Sequence, residues 1–152
     1  MATTSPATSD TAARLRLAIA RTARRLRQEA ADAEHDGLSP TLTAALATIE
    51  AHGPLTPSEL AQRERVKRPT ATRTIANLEA AGLIERTADP ADGRACLVSS
   101  TGEGRSLLKR LRGRKNAYIA KRLKRLEQDE IETLERAAGI LERMLEDDGG
   151  RG

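Results

Sequence analysis

Cations and hydroxyls converge on one short stretch of this chain. Between Leu55 and Leu83 it reads LTPSELAQRERVKRPTATRTIANLEAAGL, two short helices separated by a tight turn. The second helix, opening near Pro69 and closing at Gly82, sets Ala71, Ile75 and Leu78 on one stripe at helical spacing. Thr70, Arg73, Thr74 and Asn77 fall on its other side. An apolar stripe seats such a helix on a small core, while its polar side and N-terminus are free to enter the major groove of duplex DNA. A plain solvated helix face would carry the same residue types. The chemistry on offer is recognition. The chain shows no nucleophile beside a base, no metal-ligating cluster and no phosphate-cradling glycine loop, so no enzyme activity, cofactor or metal is expected.

The elements that would position this helix can be taken in order. Residues 1–10 lack periodicity and read as a disordered tail. Thr11 to Asp36 reads as one long Ala- and Arg-rich helix with Leu15, Ile19, Thr22 and Leu26 in step, longer than a small core can cover. Ser39 and Pro40 open a second helix that buries Leu42, Ala45, Leu46 and Ile49 and ends at His52 and Gly53. Thr56-Pro57-Ser58-Glu59 matches a capping box, so a third helix runs from Pro57 to about Arg65, with Val66 as the buried turn residue before the helix described above.

After Gly82 the period changes to alternation. Leu83–Thr87 and Ala95–Ser99 read as strands joined by Ala88-Asp89-Pro90-Ala91-Asp92-Gly93-Arg94, a turn sequence, and a hairpin directly after a recognition helix is a wing. Arg94 at its tip is placed to probe a minor groove, to hold Asp89 or Asp92, or both, and Arg86 is expected to tie the strand to a wing carboxylate. Cys96 reads as a small apolar filler, with a redox role as the alternative. Thr101 can cap a long helix interrupted by the polar run Arg112–Asn116. A last helix, about Gln128 to Glu146, carries Ile131, Leu134, Ala138, Leu141 and Leu145 in a heptad-like seam before a frayed tail.

Composition narrows the partner. The 152 residues suffice for one DNA-binding unit plus helices that pair it with a second copy. The net charge is only +4, but it is unevenly spread: ten cations and no acid lie from Arg105 through Arg125, against nine acids from Glu127 through Asp148. Phe and Trp are absent and Tyr118 is the sole aromatic residue, which disfavours single-stranded DNA and RNA because their modules stack bases on aromatic platforms. One cysteine excludes an internal disulfide and suits a reducing cytosol. With neither an apolar signal core nor a membrane-length apolar run, the protein is expected to be cytoplasmic.

The order of elements, together with Leu78-Glu79-Ala80-Ala81-Gly82-Leu83-Ile84-Glu85-Arg86 followed by Asp89-Pro90-Ala91-Asp92-Gly93-Arg94, resembles the MarR (multiple antibiotic resistance regulator) family of winged helix-turn-helix transcription factors over roughly Thr11 to Glu146. The resemblance implies a mainly α fold with a small β-hairpin wing: a DNA-binding unit over residues 37–101, bracketed by dimerisation helices at 11–36 and 102–147, with a tail at 148–152. It also implies a homodimer on a pseudo-palindromic operator, a repressor released by a small lipophilic or phenolic effector. The family's recognition-helix contacts carry over to Lys67, Arg68, Thr70, Thr72 and Arg73, and its wing-tip minor-groove contact to Arg94, while the residues themselves suggest Arg86, Asp89 and Asp92 as support for the wing. Lys67 stands where the family commonly has a small N-capping residue, and the family's N-terminal redox cysteine is missing. An effector pocket would have aliphatic walls, with Tyr118 and arginines as polar groups. The rival readings are a winged-helix protein-interaction module without specific DNA binding, and a redox regulator using Cys96.

Overall fold

The computed structural model describes residues 6–31 and 38–149. It is mainly helical with one two-stranded sheet, in the order α1 (Pro6–Ala31), α2 (Pro40–His52), α3 (Pro57–Arg63), α4 (Arg68–Ala80), β1 (Ile84–Ala88), β2 (Cys96–Ser100), α5 (Gly102–Leu123) and α6 (Gln128–Gly149). Two compact units result, Met1–Lys115 and Asn116–Gly152, and the division falls inside the polar run of α5. Leu107, Leu108 and Leu111 at the front of α5 are buried in the first unit's core.

That core is built from Leu46 and Ile49 of α2, Leu60 of α3, Ile75 and Leu78 of α4 and Val98 of β2, all essentially inaccessible to solvent. Local chemistry sets the element ends. Ser39 Oγ accepts the Leu42 amide at 3.3 Å and Pro40 takes the first helical position of α2. In α3 the capping box closes both ways. Glu59 N–H donates to Thr56 Oγ1 at 3.2 Å, and the Glu59 carboxylate accepts from the Thr56 amide at 2.7 Å and hydroxyl at 3.1 Å. Those bonds hold the Glu59 carboxyl below the usual carboxylate range.

The third helix stops at Arg63, two residues earlier than expected, in a Schellman turn: Val66 N–H donates to the Ala61 carbonyl and Arg65 N–H to that of Gln62, with Arg65 in the left-handed region at φ 54°. The same turn recurs after α4, where Gly82 at φ 73° occupies the left-handed position and Leu83 N–H donates to the Leu78 carbonyl. Val66 is not buried as expected. It stays 36% exposed at the end of the Schellman turn.

The strands pair antiparallel from Ile84↔Ser100 to Ala88↔Cys96, one residue later than expected at each strand's end. A third piece of sheet was not foreseen. Leu55 and Val98 exchange two backbone hydrogen bonds, at 3.0 and 2.7 Å, so β2 is tied to the segment before α3. Thr101 then joins three elements: its hydroxyl donates to the Gly82 carbonyl at 2.7 Å, accepts the Gly104 amide at 3.1 Å, and its own amide donates to the Leu83 carbonyl.

The first helix begins at Pro6, so part of the expected tail is helical. Pro is tolerated in the first turn, and Thr11 Oγ1 donates to the Ala7 carbonyl at 2.8 Å. Residues 32–37, including His35 and Asp36 at the expected end of this helix, lie outside the described residues, as does most of the expected C-terminal tail. Along α1 every described side chain up to Thr22 is exposed, Leu15, Leu17 and Ile19 included, and only the last turns pack, ending in buried Ala30. Within the second unit Arg122 lies over the Tyr118 ring at 3.9 Å, while Leu134, Ile140, Met144 and Leu145 of α6 are exposed.

Candidate nucleic-acid interface

Four positions hold α4 to the core: Ala71, Thr74, Ile75 and Leu78, spaced i, i+3, i+4, i+7. Thr74 is therefore part of the buried stripe, a correction to its place on the polar side. The remaining array is as expected from the sequence, with Lys67, Arg68, Thr70, Thr72, Arg73 and Asn77 all exposed. Among the described residues no hydrogen bond or ion pair engages the side chains of Lys67, Arg68 or Arg73. Thr72 differs: its hydroxyl donates to the Arg68 carbonyl at 3.0 Å, which leaves a methyl group and an acceptor lone pair facing out. Exposed Ala76, one turn further along, presents a second methyl. Neither is a polar signal in sequence, yet methyls are what contact the thymine methyl in a major groove.

The N-terminus of α4 is open. Lys67 is its N-cap in extended conformation and makes no side-chain cap bond; Pro69 has no amide hydrogen and the Thr70 and Ala71 amides donate to the Lys67 carbonyl, so in the first turn the Arg68 amide alone keeps its donor capacity among the described residues. The opposite end is tied down by the Gly82 turn and the Thr101 hydroxyl.

The wing is shaped by its aspartates. Asp89 Oδ1 accepts the Ala91 amide at 2.9 Å and Asp92 Oδ1 the Arg94 amide at 3.0 Å, while Asp89 N–H donates to the Ala95 carbonyl at 3.0 Å. The Arg94 side chain is exposed and pairs with neither of them. Arg86 does not reach a wing carboxylate either: its Nε donates to Glu79 Oε2 of α4 at 2.8 Å, because its strand runs back past the last turn of that helix. Cys96, half-buried opposite Ala88 at the loop end of the hairpin, packs against the core.

Away from this face, the first unit contains a cavity of about 570 Å³ between α1, α2 and the front of α5. Leu26, Ala30, Ala44, Ala47, Leu107 and Leu111 give it aliphatic walls, and Arg27, Arg112 and Lys115 bring positive charge. Tyr118 is not among its lining residues. No group of His, Cys, Asp and Glu among the described residues is arranged to hold a metal ion. No helix among them is long and apolar enough to cross a membrane.

Comparison with known proteins assigns this arrangement. The model of the MarR family matches residues 38–96. An HTH-type transcriptional regulator of Mycobacterium leprae is 35% identical over 88% of this chain and 91% of its own. A transcriptional regulator of Thermotoga maritima superposes with a TM-score of 0.77 at 25% identity, over 95% of this chain and 99% of that one. FabT of Streptococcus pneumoniae, solved in complex with DNA, has the same fold, with a TM-score of 0.72 at 21% identity over 91% and 98% of the two chains. A helix seated on a core and followed by a wing is thus the arrangement of these transcriptional regulators: the chain belongs to the MarR family and is a DNA-binding winged helix-turn-helix regulator of transcription.

Proposed function

We propose that the protein acts as a homodimer on a pseudo-palindromic duplex operator, as a repressor released by a small lipophilic acid. The observation that carries the DNA part is the set of exposed, unpaired cations Lys67, Arg68 and Arg73 at the open end of α4. In this reading α4 enters a major groove, its first-turn cations and the Arg68 amide meet phosphates, and Arg94 reaches the adjacent minor groove. The DNA complex of FabT supports the same placement by fold.

Pairing is supported by apolar surface that a single chain leaves in water: Leu15, Leu17 and Ile19 on α1, and Leu134, Ile140, Met144 and Leu145 on α6. A two-fold dimer sets its recognition helices about 34–36 Å apart, one turn of DNA. The effector reading is supported by the cavity, whose aliphatic walls and three cations suit a phenolic or other lipophilic carboxylate. Its wall is also close to the DNA-binding face. Leu107 and Leu108 line it, and one turn earlier Gly104 sits against the Leu83 carbonyl at the end of α4. A ligand that displaces the front of α5 would move that end, and binding would shift the population towards dimers of the wrong helix spacing.

A gel shift tests the proposal, using the duplex upstream of the protein's own gene at moderate salt, repeated with salicylate and with a medium-chain fatty acid. Specific retardation by a dimer, relieved by either acid, is expected. Absence of specific binding would favour the interaction-module reading, and binding unaffected by any lipophilic acid would remove the effector.

A further inference from the structure

We propose that Glu79 and Arg86 are a positioning pair that fixes the angle of the wing to the recognition helix, so that α4 and Arg94 engage one duplex together. The proposal rests on the reading of Arg94 as a DNA contact. Beyond Ile84 the side chains of β1 are all exposed, so no apolar packing holds the outer half of that strand to the body. The β2 side is anchored by the Leu55–Val98 backbone bonds and by buried Val98 and Ser100. On the β1 side the tie is the 2.8 Å bond from Arg86 Nε to Glu79 Oε2. Arg86 stands opposite Val98 in the ladder, so the two ties act at one level, below the wing loop of residues 89–95. With Cys96 of β2 also packed against the core, the ribbon without the pair would be held along β2 alone and its β1 side free to roll, since a two-stranded hairpin is marginal by itself.

As a contribution to folding the pair is small, because both side chains are partly exposed, Arg86 at 37% and Glu79 at 43%. Its function is orientational. Without it, the wing must be ordered when DNA binds, and that cost falls on affinity, once per half-site. The sign of the effect separates this role from plain charge: removing an acid near DNA should tighten binding by lowering repulsion, whereas loss of the pair should weaken it.

The test uses the full-length protein and a duplex selected by the wild type from a randomised pool. E79Q is expected to weaken binding about 3- to 25-fold with little change in melting temperature. E79D, which keeps the charge but not the reach, should behave alike and covers the case in which E79Q folds poorly. In an R94A background the weakening should vanish. E79Q and E79D binding as tightly as wild type, or a loss that persists undiminished with R94A, would overturn the positioning role. If R94A alone binds like wild type, the wing reading itself falls and takes the pair with it.

Discussion

Replacing Arg73 by alanine is the sharpest test of the recognition face. Arg73 is exposed, and no other described residue pairs with it, so the fold loses nothing and stability should stay within about 0.5 kcal/mol of wild type. If its guanidinium reads a guanine, each half-site loses about 1–3 kcal/mol. A two-fold dimer loses this twice, roughly 2–6 kcal/mol, which raises the dissociation constant by about thirty-fold to ten-thousand-fold. Fluorescence anisotropy on the selected duplex, with single-base variants and at several salt concentrations, distinguishes two outcomes. A base contact relaxes preference at one position per half-site and leaves the salt dependence nearly unchanged. A phosphate contact weakens all sequences alike and reduces the slope of log affinity against log salt by about 0.9 per half-site. Thr74→Ala is the internal control, since its buried side chain should cost about 1 kcal/mol of stability and leave base preference intact. Wild-type affinity for Arg73→Ala on every duplex, or a preference altered by Thr74→Ala but not by Arg73→Ala, would refute the assignment of faces.

Two further outcomes follow from the scaffold. Gly104→Ala would place a Cβ on the Leu83 carbonyl and 3.2 Å from Leu46 Cδ1, so it should destabilise by about 1–3 kcal/mol in thermal melting despite alanine's better helix propensity; a higher melting temperature would deny the close approach. The Glu59 carboxyl is held below its ordinary 4.5 by the Thr56 amide and hydroxyl, so its stabilising effect is present above that value and is lost as pH falls through the lowered one. In urea titrations Glu59→Gln should therefore be less stable than wild type at pH 7, with the gap closing on acidification below about 4.5; a gap independent of pH would refute the capping account.

What could be read from the sequence was local. Ser39 with Pro40, the Thr56–Glu59 box and Gly82 each announce a helix end through a bond spanning a few residues, and all three ends are where they were expected. The α4 stripe was legible, and even Thr74 could have been read: it lies three residues after Ala71 and four before Leu78, and only its hydroxyl argued for the outer side. The start of α1 was hidden because its first turns bury no side chain and residues 6–10 carry no apolar period. The end of α3 was hidden because its turn puts an arginine, not a glycine, in the left-handed position. Leu55 against Val98 and Arg86 against Glu79 are long-range partners, and neither periodicity nor turn chemistry encodes them. The cavity was expected in kind, but its walls depend on how α1, α2 and α5 pack, which no single segment specifies.

The two ends of α4 explain why one helix can be both well anchored and available. At its C-terminus the carbonyls of Leu78 and Glu79 accept the Leu83 and Gly82 amides, the Gly82 carbonyl accepts the Thr101 hydroxyl, and Glu79 holds Arg86. At its N-terminus there is no side-chain cap: Pro69 has no amide hydrogen to give one, and the Thr70 amide donates to the Lys67 carbonyl at 2.9 Å. An aspartate there would repel a phosphate. Lysine instead sets a positive charge beside the one first-turn amide left free, that of Arg68, so this end is completed when an anion arrives. The preference of α4 for a polyanion is thus built into its uncapped end as well as its arginines, and the rigidity that lets it discriminate among bases comes from the other end.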